Sequence, residues 1–372
     1  MNSLNRRIQI KVLDLLNRGI GKMMDGLEKI GLRKPFAAAE IVHYGPPEEV
    51  VQAYPLNFKA EDAHFFTTWK SYHTLELACY RLKEVRLSDQ GVVMKGLQSF
   101  VPAFPHPVFR YRFGLLYNLN TRLGYRKLTV NDEKPYLLIY DFWAITNYYH
   151  WCVDSLCRIY LSTRFLPDTY TLLLPEGVPS YITDSLSFFG ITRVRLIPRK
   201  AVLQLPELFL MNYAAGSGRH HPRILSEVRN KIRSGLAARS AKPFRKIYVS
   251  RSRQQSRKIA NETEVKQMLE QHGFETVYFE GMSINQQIER MQECSVFVSS
   301  HGANMTNTLF LPAGAQVLEL INDREPNFCY WSLCSCIGIA YFYQLSPLSG
   351  SNHIRVDLET LETNLERMQT HS

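Results

Sequence analysis

Three groups of residues combine types and spacings that could do chemistry. The first is Ser299-Ser300-His301-Gly302-Ala303-Asn304, which ends a short apolar run at 296–298. A helix-compatible segment, 305–310, follows, then a Pro-Ala-Gly turn and a second apolar run at 316–321. Strand, tight turn, helix start and strand make one βαβ-type unit. At the carboxyl end of such a strand, backbone N–H groups and a helix N-terminus face an anion. His301 and Asn304 would add side-chain donors to the backbone at Gly302 and Ala303. Glu319 interrupts the second run, and a buried carboxylate is costly unless it is paired or meets a ligand hydroxyl. A sugar or ribose diol suits it; an Arg in the core is the plainer alternative. One Gly-containing turn is a weak signal by itself.

The second group is Tyr248-Val-Ser-Arg251-Ser-Arg253 with Arg257-Lys258-Ile-Ala-Asn261-Glu262. A strand ending at Ser250 would release Arg251, Arg253, Arg257 and Lys258 into a loop before a helix. Bidentate Arg donors beside a helix N-terminus suit a phosphate or pyrophosphate. A solvated basic loop is the alternative. The third group is Asn147-Tyr-Tyr-His150-Trp151-Cys-Val-Asp154-Ser155. His150 and Asp154 stand at i and i+4, so they share a helix face. An imidazole beside a carboxylate can supply a general base, with either member in that role. A structural His–Asp pair beside a core Trp is the competing reading.

These groups must be held by elements, and the chain has the means to build them. Its 372 residues suffice for two domains, and 45% hydrophobic with 21% charged residues is ordinary globular composition. Strand candidates at 136–140, 171–174, 194–197 and 208–211 surround a helical segment at 150–165. The Gly/Ser-rich stretch 214–219 reads as a linker. Beyond it, helices at 225–238, 262–272 and 283–294 alternate with strands at 246–250, 276–279, 296–298 and 316–321. A last apolar segment spans 340–343. Ser283 with Gln286 three residues on has a capping-box pattern. This alternation argues for parallel sheets with helices on both faces, two Rossmann-like domains joined near 215–225. Residues 42–107 read only as loops and strands.

The seven cysteines are odd in number, scattered and without a Cys-x-x-Cys pair, as expected of reduced thiols in a cytoplasmic protein. No secretory hydrophobic region precedes the two sequons at Asn261 and Asn304. Apolar runs fall far short of the ~18–20 residues of a spanning helix. Residues 1–34 carry eight Lys/Arg against Asp14, Asp25 and Glu28, a net +5 that is half of the chain's +10. Leu4, Ile8, Val12, Leu15, Leu16, Ile20, Met23, Met24, Leu27 and Ile30 recur at helical spacing there. Such a basic amphipathic segment either docks on its own domain or lies on an anionic membrane surface. Gly19, Gly21 and Gly26 weaken it as a free helix.

Taken in order and spacing, the three groups resemble glycosyltransferase family 61, also known as capsular polysaccharide biosynthesis-type or DUF563-like glycosyltransferases. The residues that carry the resemblance are Tyr149-His150-Trp151 with Asp154, Ser250-Arg251 with Arg257 and Asn261-Glu262, and His301-Gly302-Ala303-Asn304-Met305-Thr306-Asn307. Pro312, Gly314 and Glu319 follow at the usual distance. The family turn has Gly where Asn304 stands; Asn tolerates left-handed backbone angles better than other non-Gly residues. The resemblance implies a GT-B-like fold, two Rossmann-like domains facing a cleft, with 35–222 on the acceptor side and 223–372 holding the nucleotide-sugar. It implies an inverting transferase without a cofactor, acting on a nucleotide-sugar (UDP-linked is expected) and a hydroxyl of a glycan or lipid-linked acceptor. Asp154 or His150 would be the base. Arg251, Arg257 and the N–H groups of Gly302–Asn304 would meet the departing diphosphate. Asn261, His301 and Glu319 would read nucleotide and sugar hydroxyls. No Asp-x-Asp triplet occurs, so metal independence is expected. The setting implied is bacterial surface or capsular polysaccharide synthesis, at or near the inner face of the cell membrane. Two rivals are a non-catalytic nucleotide-sugar-binding scaffold and a nucleic-acid-binding protein. Against the second, half of the excess charge sits in the first 34 residues and no nucleic-acid motif occurs.

Overall fold

A computed structural model describes residues 3–29, 34–106, 109–130, 135–166, 170–235, 243–350 and 352–371. The chain divides into two compact units, Met1–Pro47 with Leu75–Ile182 and Gly190–Ser217, and Glu48–Thr74 with Thr183–Phe189 and Gly218–Ser372. The break at Ser217 and Gly218 falls within the Gly/Ser-rich stretch. The assignment of 48–74 differs from a division at 222. The Leu56 N–H donates to the Tyr341 carbonyl (2.9 Å), and Asn57 Nδ2 donates to the Tyr343 carbonyl (2.7 Å). This early segment therefore packs along the strand Ala340–Ser346 of the C-terminal unit.

The first unit corrects the expectation of a purely parallel sheet. Val194–Ile197, Thr171–Pro175 and Tyr136–Leu138 run parallel to one another, and the last pairs in parallel with the long strand Ala201–Met211. Leu77–Ser88 then pairs antiparallel to Ala201–Met211, from Cys79↔Met211 to Ser88↔Val202. Glu40–Gly45 and Val93–Lys95 are antiparallel to Leu77–Ser88 in turn. Only a tight turn separates Leu77–Ser88 from Val93–Lys95, which permits a hairpin but no helical crossover. The turn needs Gly91, whose φ is +75°.

The second unit contains the expected parallel sheet. Its strands lie in the order Phe274–Val277, Arg245–Val249, Cys294–Ser300, Gln316–Asn322, Ala340–Ser346. Numbered along the chain that is 2-1-3-4-5, a doubly wound order whose direction reverses between the Arg245 and Cys294 strands. The central strands are buried on both faces, as in Val317, Leu318 and Leu320. Helix Ile284–Gln292 starts with the anticipated capping box of Ser283 and Gln286. Helices Cys329–Ile337 and Leu358–Thr370 have no counterpart in the sequence reading.

Helix Ser3–Lys29 packs on the first unit. Asp25 pairs with Arg110 at 2.8 Å, and a Cβ added at Gly21 would stand 2.2 Å from the Tyr111 ring. Gly21 therefore permits a close approach rather than merely weakening the helix. Leu15, Leu16 and Met23 remain exposed on its outer side. Among the described residues, no helix is long and apolar enough to cross a membrane.

Candidate active site

In the first unit, His150 and Asp154 meet where they were expected to. The helical stretch begins with Asn147, whose side chain accepts the Tyr149 N–H (3.0 Å). It then widens into a π turn at Trp151–Ser155 before continuing as Leu156–Phe165. Such bulges favour functional positions because they re-aim side chains. His150 Nδ1 and Asp154 Oδ2 lie 2.8 Å apart, and both side chains are largely buried. The imidazole stacks on Trp143 with ring centroids 4.8 Å apart. With Nδ1 engaged by the carboxylate, Nε2 is the nitrogen that can take a proton.

Burial pulls the His150 pKa down, but the hydrogen bond and charge of Asp154, aided by Asp141, carry it above the ordinary value. Burial pushes Asp154 up, against the opposing pull of His150. Asp141 is a member of this cluster that the sequence reading missed. Its Oδ1 accepts the N–H groups of Trp143 (2.6 Å) and Ala144 (3.1 Å), and its Oδ2 accepts the Tyr213 hydroxyl (2.7 Å). It follows the apolar run 136–140, so the end-of-strand rule applied to Ser250 and Ser300 would have marked it. Arg158 is fully buried beside it, donating to the Met211 carbonyl (2.7 Å) with its guanidinium over the Tyr213 ring (4.6 Å).

In the second unit, the loops after the Arg245 and Cys294 strands meet at the reversal of strand order. Glu262 fixes the start of the first loop by accepting from Tyr248 (2.8 Å) and Ser250 (2.5 Å). Arg251 then lies against Gly302: a Cβ there would fall 2.1 Å from Arg251 Nη1. Gly302 is thus required for space. Arg251 is 8% exposed, and its Nε has no protein partner. Burial, and next the charge of Arg257, lower its pKa. A guanidinium so placed favours an incoming anion.

His301 sits on the same turn. Its Nδ1 is 2.5 Å from Glu319 Oε1, and Tyr341 donates to Glu319 Oε2 at 2.6 Å. Glu319 is fully buried, and each of its oxygens has a protein partner, His301 on one and Tyr341 on the other. Asn261 is engaged within the protein. Its Nδ2 donates to the Val356 carbonyl (2.8 Å) and its Oδ1 accepts the Val356 N–H (3.0 Å), which uses the amide as a backbone clip. Ala303 and Asn304 open a 3₁₀ segment, Ala303–Phe310, where the sequence suggested an ordinary helix start. Asn304 has no positive φ, so left-handed tolerance is not what the turn asks of it. Its Nδ2 is buried without a protein partner.

Arg257, Ser300 and His301 line a cavity of about 460 Å³ together with Asn322, Arg324 and Asn352. Among the described residues no acidic side chain pairs with Arg257 or Arg324. Asn322 is the carboxyl end of Gln316–Asn322, the next strand over, and Arg324 follows it. The same rule that found Arg251 and His301 would have found them. The cavity can hold an anionic, hydroxyl-bearing ligand: two cations, an oriented imidazole and amides are the donors it offers.

The model of the family described as Glycosyltransferase 61 matches residues 148–318. The chain is also similar to the EGF domain-specific O-linked N-acetylglucosamine transferase of Drosophila melanogaster, at 33% identity over 101 residues. That similarity covers 26% of this chain and 19% of the fruit-fly protein. The stretch 148–318 contains His150, Asp154, Arg251, Arg257, Asn261 and the 301–304 turn, and stops one residue short of Glu319. Across it, the chain matches glycosyltransferase family 61.

Proposed function

We propose that the protein is an inverting glycosyltransferase that moves a sugar from a nucleotide-sugar to an acceptor hydroxyl without a metal ion. The observation that carries this reading is the incompletely paired Arg251, set against Gly302 and beside Arg257 at the strand-order reversal of a parallel sheet. Nucleotide phosphates bind at such reversals. In the transfer, the acceptor hydroxyl gives its proton to His150 Nε2 while Asp154 holds the ring and balances its charge. The acceptor oxygen bonds to the anomeric carbon on the face opposite the donor linkage. The bond from that carbon to the phosphate oxygen breaks, and its electron pair leaves with the nucleoside diphosphate. Arg251 and Arg257 neutralise that developing charge, the task a divalent ion would otherwise perform. A GT-B-like organisation is the finer reading of the fold, with acceptor chemistry in the first unit and donor chemistry in the second.

The donor is read as UDP-linked. The fruit-fly protein's name specifies N-acetylglucosamine and an EGF domain, which makes UDP-N-acetylglucosamine the first donor to try and adds a protein hydroxyl to the glycan and lipid-linked acceptors. Free cysteines at all seven positions support a reducing, cytoplasmic setting, the one that synthesis of bacterial surface polysaccharide at the inner membrane face requires.

A thermal-shift series with UDP, GDP, CMP and dTDP, with and without EDTA, tests the donor. A ligand at ~100 times its dissociation constant adds about 2.7 kcal/mol to the folded state. UDP should raise the midpoint equally with and without EDTA. Failure of all four nucleotides to shift it would overturn the donor reading, and a shift that EDTA abolishes would overturn metal independence.

A further inference from the structure

Arg257 is one of few non-glycine residues in the left-handed region, with φ at +56°. A bulky residue adopts that conformation only where its surroundings impose it, and such positions gather at ligand clamps. Here the surroundings can be named. Ser300 Oγ donates to the Arg257 carbonyl at 3.3 Å. The next N–H along the chain, that of Lys258, donates to His353 Nδ1 at 3.1 Å. His353 belongs to a short antiparallel pair, Leu348–Ser349 with His353–Ile354. This pair is stitched to the Arg257 loop from both sides. The Ile354 N–H donates to the Lys258 carbonyl (3.0 Å), the Ala260 N–H donates to the Ile354 carbonyl (2.8 Å), and Asn261 clips Val356. Leu348, Asn352 and Ile354 form one wall of the cavity that Arg257 lines.

We infer that His353 is a positioning residue for the donor diphosphate: by accepting the Lys258 N–H it locks Arg257 in its left-handed turn, which keeps the guanidinium in the cavity. The inference deepens the donor reading above and rests on it for the identity of the anion. His353 needs no contact with the ligand. A left-handed residue turns the following N–H out of the local ladder, and His353 Nδ1 satisfies it. Without that acceptor the loop can relax to an ordinary backbone angle, which moves the Arg257 side chain. Asn261, expected from the sequence to touch donor, takes part through the same brace.

The test compares His353→Ala with His353→Asn. Asn Oδ1 occupies the place of His Nδ1 relative to Cβ and can accept the same N–H. Calorimetry with UDP and with uridine reads the effect, and amide exchange of Lys258 in the ligand-free protein reads the brace itself. His353→Ala should weaken UDP about tenfold, in keeping with a misplaced charge-assisted contact, and leave uridine unchanged. His353→Asn should restore UDP affinity, and Lys258 exchange should quicken in the first variant and recover in the second. Unchanged UDP affinity in His353→Ala, or no recovery in His353→Asn, overturns the inference. If the parent protein binds no UDP, the donor reading falls; the brace is then decided by exchange, and equal Lys258 protection in all three proteins overturns it. Should His353→Ala fail to fold, Ser300→Ala removes the other backbone restraint on Arg257 and must weaken UDP while sparing uridine.

Discussion

The two candidate centres differ in how far each is satisfied by its own protein. In the first unit, His150 and Asp154 complete one another at 2.8 Å, and Trp143 covers the ring. In the second, Arg251 has a buried Nε without a protein partner and a like-charged neighbour in Arg257. A satisfied pair with an available Nε2 is equipped to move a proton repeatedly. A strained cationic pair is equipped to be relieved by an anion. Changes in the first should therefore appear in turnover and its pH dependence, and changes in the second in nucleotide affinity.

The largest effect expected is that of Asp154→Asn. The asparagine cannot balance an imidazolium, and turnover should fall about 10²–10⁴-fold, the usual scale for a lost general base. UDP affinity should stay at the parent level. The pH profile sharpens this point. In the parent, His150 is held above its ordinary value near 6.5. It is neutral, and able to accept a proton, only above that raised value, so turnover should fall as pH drops through it. In Asp154→Asn the main opposition to burial is gone, and an NMR titration of the His150 ring should move to lower pH. An unmoved titration, or a loss of UDP affinity equal to the loss in turnover, would erase the distinction between the centres.

The next effect belongs to the other centre. In Gly302→Ala the new Cβ would fall 2.1 Å from Nη1 and 2.5 Å from Cζ of Arg251, so the guanidinium must leave its place. A hydrogen bond to a charged group contributes about 1.5–3 kcal/mol, so UDP should bind roughly ten- to a hundredfold more weakly. The pH dependence of the remaining turnover should not change. An alanine variant that binds UDP like the parent would show that Arg251 holds no phosphate.

The same contrast explains what could be read from the sequence. The second unit was legible because parallel strands and crossover helices alternate along the chain. Arg251 and His301 each stand just past an apolar run, where local pattern marks a strand end. Asn261 and Glu319 were legible as unusual residues, but their protein partners were not. Their partners, Val356 and Tyr341, lie far off in sequence, and side-chain type does not say whether an amide faces backbone or ligand. The first unit was harder still. The strand Leu77–Ser88 has an irregular burial pattern and pairs with residues more than a hundred positions away, from Cys79↔Met211 onward. Neither periodicity nor turn chemistry reports such a partner. His150 and Asp154 escaped this difficulty because helix spacing alone brings them together.

The smallest effect concerns the outer side of helix Ser3–Lys29, where the units' chemistry is not involved. Its inner side is committed to the first unit through Asp25 with Arg110 and Gly21 with Tyr111. Leu15 is 76% exposed and Met23 58%, with Lys22 exposed between them. Apolar side chains flanked by basic ones suit the boundary of an anionic bilayer. Deleting the helix would uncover the surface it packs on, so substitution is the cleaner probe. Lys22→Glu combined with Met23→Ser should weaken binding to phosphatidylserine-containing vesicles by about 1 kcal/mol or slightly more, given ~1 kcal/mol per basic residue near such a surface. Binding to purely zwitterionic vesicles should fall less, through the loss of the Met23 side chain alone, while UDP affinity and turnover on a soluble acceptor should stay as in the parent. Equal binding of parent and variant to the anionic vesicles would leave the helix with docking as its whole role. The comparison would then rest on the two centres alone.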